Sequence, residues 1–139
     1  MPARPNNIRG VKGRVCGLLV LALLLVPAAA AAPPRVVFSA TTHTPKATAR
    51  WPWSVVVTTS AGKPIAARVS AAIVDPIGGV HPVAYDCCDK KFITNVRIKG
   101  RFADVVKFPL SSKAFKLTFR VTVRSALGTR VVNYWVKAR

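Results

Sequence analysis

From residue 35 to the C-terminus, apolar and polar residues alternate at short intervals and β-branched residues are abundant, while no stretch keeps a helical period. The body of the chain therefore reads as all-β. Candidate strands cover 36–42, 53–59, 65–74, 80–85, 92–98, 102–108, 115–124 and 131–137, which gives seven to eight antiparallel strands and suits two packed sheets. The clearest alternation is in 115–124. Leu117, Phe119, Val121 and Val123 interleave with Lys116, Thr118, Arg120, Thr122 and Arg124, so one face is core and the other is wet. Ile65, Ala67, Val69, Ala71 and Ile73 repeat the pattern, with Arg68 and Ser70 pointing the other way. In the last strand the choice falls on Val132, Tyr134 and Val136 as the inward set, rather than Val131 and Trp135. Turn residues separate the strands, at Ser60 to Pro64, Asp75 to Gly79, Lys99-Gly100 and Ala126 to Thr129, and each reads as a chain reversal. Connecting helices are absent from the pattern, so a parallel α/β sheet has no support.

The first thirty residues follow another pattern. A cationic start without acids leads into the apolar run Val15 to Val26, which ends at Pro27 and is followed by alanines. This is the three-part order of a secretory signal peptide, with Ala28 and Ala30 placed for cleavage after Ala30. Twelve helical residues reach only about 18 Å, short of a bilayer core of about 30 Å. The alanines up to Ala32 lengthen that helix nearly enough, so an uncleaved N-terminal anchor is the alternative. The expected organisation is a signal peptide over 1–30 and one β-sandwich domain over 31–139, in an extracytoplasmic, secreted or cell-wall-associated protein. A membrane partner enters only if the leader is retained.

Charge changes the picture more than length does. The chain holds 22 Lys plus Arg against four aspartates and no glutamate, a formal charge of +18. Four of the basic residues, Arg4, Arg9, Lys12 and Arg14, belong to the leader, so +14 remains with the domain. Such a field attracts nucleic acid, anionic polysaccharide, teichoic-acid-like polymers or anionic lipid without ranking them. Cys16 leaves with the leader, and the mature chain keeps only the adjacent Cys87 and Cys88. Neighbouring Cα atoms stand about 3.8 Å apart, below the usual disulfide range. An intermolecular bridge or a vicinal disulfide are thus the thiol chemistries to consider, in a compartment that permits oxidation.

The stretch Trp51-Pro52-Trp53-Ser54-Val55-Val56-Val57-Thr58, followed by Ala61-Gly62-Lys63-Pro64-Ile65-Ala66-Ala67-Arg68-Val69, resembles bacterial extracellular immunoglobulin-like and fibronectin type III-like modules. With Ile73-Val74-Asp75-Pro76, His81-Pro82-Val83 and the final hairpin, residues 35–139 are similar to exported single-domain proteins of this kind from high-GC Gram-positive bacteria, a group of uncharacterised function. The resemblance implies an immunoglobulin-like two-sheet sandwich and no particular activity. It departs from the antibody pattern, since neither 53–59 nor 115–124 holds a cysteine and the bridge between sheets is missing.

Catalytic motifs are lacking: there is no Gly-x-Ser-x-Gly, His-Glu-x-x-His or P-loop. His43 and His81 read as loop or solvent-facing residues. The segment from His81 to Asp89 gathers imidazole, thiols and carboxylates but lacks Cys-x-x-Cys spacing, so a polar loop is expected there and no metal or cofactor. Lys116, Arg120 and Arg124 fall at i, i+4 and i+8 on one strand face, a line of roughly 26 Å. Arg68 and Lys137 extend that face if their strands share the sheet. These five are the candidate polyanion contacts, although alternating Lys, Arg and Thr also clothes an ordinary solvated sheet. Trp53 is expected in the core, and Trp51 partly exposed as a stacking surface. The expected function is a non-enzymatic extracytoplasmic module that associates with an anionic polymer or envelope surface. The alternatives are a partner-specific protein-binding or assembly module with incidental charge and, third, a small secreted enzyme.

Overall fold

The computed structural model describes residues 32–85 and 94–139. The expected signal helix and its cleavage region, Cys87 and Cys88, and the start of the expected strand 92–98 lie outside the described residues. The described chain is all-β: β1 (Arg35–Ala40), β2 (Arg50–Thr58), β3 (Ala66–Val74), β4 (Val80–Pro82), β5 (Val96–Lys99), β6 (Arg101–Lys107), a 3₁₀ turn (Leu110–Ala114), β7 (Leu117–Ser125) and β8 (Gly128–Val136). One antiparallel sheet has the order β1-β2-β6. The other has β3, β7 and β8 in sequence, with β5 and β4 lying along the far side of β3, opposite Ala66–Val69 and Ala72–Val74 respectively.

Alternation decides which face of each strand turns inward. Trp51, Trp53, Val55 and Val57 of β2 are buried, as are Ala67, Val69 and Ala71 of β3 and Leu117, Phe119, Val121 and Val123 of β7. Aromatic rings fill the space between the sheets. Phe119 meets Trp51 and Trp53, each with centroids 5.2 Å away and steeply inclined, while Phe38 from β1 lies 5.9 Å from Phe119 and 5.1 Å from Tyr134. Edge-to-face pairs of this kind add to the stabilisation from burial alone.

Several boundaries differ from the sequence expectation. Lys99-Gly100 does not reverse the chain into a hairpin: β5 belongs to one sheet and β6 to the other, and the crossing takes place at buried Gly100. Gly100 has φ +79°, donates its N–H to the Ile65 carbonyl and accepts from the Val57 N–H. The strand expected over 80–85 stops at Pro82, beyond which Tyr85 turns inward and donates its hydroxyl to the Val69 carbonyl at 2.8 Å. β7 begins at Leu117 because the 3₁₀ turn occupies 110–114, so Phe115 is half exposed. β8 starts at Gly128, earlier than expected, since Ser125 pairs directly with Gly128 across a two-residue turn. Its inward set is Val132, Tyr134 and Val136, while Val131 and Trp135 face out. The connection from β1 to β2 runs beside the chain end, where Lys137 donates to the His43 carbonyl and Arg139 to that of Pro45.

Candidate anion-binding face

The outward face of the five-stranded sheet is where β3, β5, β7 and β8 project their polar positions. Register fixes the neighbours. Arg68 stands opposite Arg97 of β5 on one side and Arg124 of β7 on the other, so three exposed arginines form one row across three strands. Strands lie about 4.8 Å apart, which confines the three backbone positions to roughly 10 Å. The next rows pair Ser70 with Thr122 and Ala72 with Arg120. Arg120 is half-buried, and its Nε donates to Asn133 Oδ1 at 3.2 Å on the adjacent strand. Small side chains at Ser70 and Ala72 leave a shallow depression of about 270 Å³, bordered also by Thr94, Thr122, Arg120 and Arg124.

No acid among the described residues lies on this face. The described acids are Asp75 and Asp104. Asp75 sits in the turn after β3, where its carboxylate pairs with His81 Nε2 at 3.1 Å and accepts the Ile77 and Gly79 N–H groups. These contacts, the His81 ring first, hold its pKa below the ordinary value. Asp104 is buried in β6 opposite Trp53, on the inward face of the other sheet. Burial, and then the Asp104 charge, push the Tyr85 hydroxyl well above its ordinary pKa, so Tyr85 serves as a neutral hydrogen-bond donor.

Of the residues singled out in the sequence, the structure brings Arg68, Arg120 and Arg124 together, and adds Arg97. Lys116 and Lys137 are exposed but stand at the far end of the sheet, just outside β7 and β8. The Lys116 ammonium lies over the Trp135 ring, 5.0 Å from its centroid. Trp51 is not a stacking surface. β2 begins at Arg50, earlier than expected, so Trp51 and Trp53 are alternate residues of one strand and both point inward; Trp51 is 1% exposed and donates Nε1–H to the Thr42 carbonyl at 2.8 Å. The exposed tryptophan is Trp135, 44% accessible on the arginine-bearing side. His43 does not simply face solvent: it stacks on Tyr134 and Trp135, with Nδ1 2.7 Å from the Trp135 carbonyl oxygen.

Among the described residues no group of three or more His, Cys, Asp or Glu could hold a metal ion, and no helix is long and apolar enough to cross a membrane. No family model matches the chain, and no curated protein matches it either. Among solved structures, the chain is similar to a DUF4466 family protein from Parabacteroides merdae ATCC 43184, at 13% identity and a TM-score of 0.37. The likeness covers 76% of this chain and 44% of that one, so the chain spans less than half the length of that protein.

Proposed function

We propose that this is a non-enzymatic extracytoplasmic interaction module, an immunoglobulin-like sandwich that holds anionic envelope polymers against the outer face of its five-stranded sheet. The observation that carries the reading is the row Arg97–Arg68–Arg124. Like charges directly opposite each other on a sheet destabilise it. A row of three, with no carboxylate among the described residues of that face, is a standing cost that a bound anion offsets. Arg120, tethered by Asn133, and the Ser70 and Thr122 hydroxyls supply further donors beside the row. The strand order favours the immunoglobulin-like part of the reading: β1, β2 and β6 correspond to strands A, B and E of such domains, and β3, β7 and β8 to C, F and G. The basic start, apolar run and alanines of residues 1–30 favour export.

A salt titration tests it. Affinity for teichoic acid, heparin and duplex DNA is measured for the parent chain and for Arg68→Gln/Arg97→Gln/Arg124→Gln, with circular dichroism as the folding control. Each lost phosphate contact on duplex DNA removes about 0.9 from the slope of log K against log salt, so the triple variant is expected to bind more weakly with a slope shallower by about 2 to 3. Unchanged affinity and slope in a folded variant would overturn the reading and leave the partner-specific assembly module in its place.

A further inference from the structure

At the end of the sandwich beyond the β3–β4 turn, apolar side chains stand in water on two neighbouring turns. Ile77, at the tip of the first, is 94% exposed; Leu110 and Phe115, on either side of the 3₁₀ turn, are 65% and 50% exposed. Neither turn is loosely built. The Asp75 carboxylate accepts Ile77 N–H at 3.0 Å and Gly79 N–H at 2.7 Å, Gly78 takes φ +91°, and a side chain at Gly79 would run into that carboxylate. Ser112 closes the second turn, its hydroxyl donating to the Pro109 carbonyl at 2.6 Å and its carbonyl accepting the Phe115 N–H. The two turns flank one mainly apolar cleft of about 330 Å³, lined by Ile73, Pro109, Phe115 and Leu117 with Asp75 and His81 at its side.

Lysines lie along the chain on and beside the second turn. Lys107, Lys113 and Lys116 are exposed on the same stretch of chain, and Lys116 lies over the half-exposed Trp135. Asp75, the acid among the described residues of this end, is engaged by His81 and by its own turn. We propose that this end docks on an anionic lipid bilayer, with Ile77, Leu110 and Phe115 entering the boundary between headgroups and acyl chains and Lys113 and Lys116 meeting lipid phosphates. Protruding apolar tips with exposed lysines beside one of them match a surface that is apolar beneath and negative above. A second copy of the chain suits them poorly, because even without the four basic residues of the leader each copy keeps +14 of its formal +18 and would meet its like. This surface is separate from the arginine row, and either can fail without the other.

The test uses the full chain with vesicles of phosphatidylcholine alone or mixed with phosphatidylglycerol, read by co-sedimentation and by amide hydrogen exchange. With the anionic vesicles, residues 75–80 and 109–116 gain protection that the rest of the sandwich does not. Ile77→Ser/Leu110→Ser/Phe115→Ser removes that protection and lowers partitioning by tenfold or more, while leaving the salt dependence of heparin binding intact. Lys113→Gln/Lys116→Gln erodes the preference for anionic over neutral vesicles. The leader is common to every variant, so the differences report on the turns. No protection at the two turns would overturn the proposal, as would unchanged partitioning of the folded apolar variant. A dimer abolished by that variant in the absence of vesicle binding would overturn it too, in favour of self-association.

Discussion

Phe119 and Arg120 are consecutive residues of β7 with opposite fates, and substituting each by alanine separates what the inner and outer faces do. Phe119 is fully buried, with the rings of Trp51 and Trp53 5.2 Å away and that of Phe38 at 5.9 Å. Removing it leaves a cavity between the two sheets that rigid neighbouring rings fill poorly, so the loss belongs to the range of about 3–5 kcal/mol for a buried phenylalanine. A domain of this size has only about 5–15 kcal/mol in total. The midpoint of thermal unfolding should fall by about 12 °C or more. Arg120→Ala gives up an exposed hydrogen bond to Asn133 and should cost about 0.5 kcal/mol or less, while weakening polyanion binding. Urea unfolding followed by tryptophan fluorescence reads both, because Trp51 and Trp53 adjoin the Phe119 site; an unchanged m-value keeps the comparison valid. A loss under about 1 kcal/mol for Phe119→Ala, alongside one above about 2 kcal/mol for Arg120→Ala, would mean that β7 presents its faces the other way round.

Two further substitutions probe the turns. Gly100→Ala places a Cβ at φ +79° and 2.8 Å from Pro64 Cβ, so a loss of about 1–3 kcal/mol is expected in chemical denaturation; a loss under about 0.5 kcal/mol would show that the crossing between sheets does not need glycine. Asp75 has its pKa lowered in the folded state, so its stabilising contribution is complete above the unfolded value near 3.8 and disappears as pH falls through the folded one. Asp75→Asn should therefore be less stable than the parent at pH 7 and converge with it on acidification below about pH 4. A stability difference that stays constant down to pH 2 would count against the turn's carboxylate as the cause.

The strands that alternate over nine residues were legible because their register against the core repeats often enough to exclude the other face. β3 and β7 are of this kind, and so is the choice of Val132, Tyr134 and Val136 in β8. What escaped depends on distant partners. Lys99-Gly100 looks like any Gly-containing reversal. It becomes a crossing between sheets because β5 finds Ala66–Val69 while β6 finds β2, pairings that local composition does not encode. Phe115 reads as the first residue of a strand, yet Pro109 and the Ser112 hydroxyl close a 3₁₀ turn that delays β7 to Leu117.

The candidate site was half legible for the same reason. A single strand displays its own basic line, so Arg120 and Arg124 could be found by counting twos, whereas a row across strands needs registers. Arg97 was not singled out in the sequence: it alternates with Val96 and Ile98 in a four-residue strand, and only its place opposite Arg68, itself opposite Arg124, makes it part of a cluster. The tryptophans show how one boundary redirects a functional reading. Starting β2 at Arg50 turns Trp51 inward with Trp53, and the inward choice of Tyr134 and Val136 necessarily leaves Trp135 outside. The stacking surface expected at Trp51 is therefore not formed, and the tryptophan left exposed is Trp135. Lys116, expected to continue the arginine line, lies instead over that tryptophan, near the apolar turns. The line of i, i+4 and i+8 therefore divides: Arg120 and Arg124 border the depression that also holds Ser70 and Thr122, the face proposed to meet anionic polymers, and Lys116 belongs to an end where cation and exposed carbon stand together.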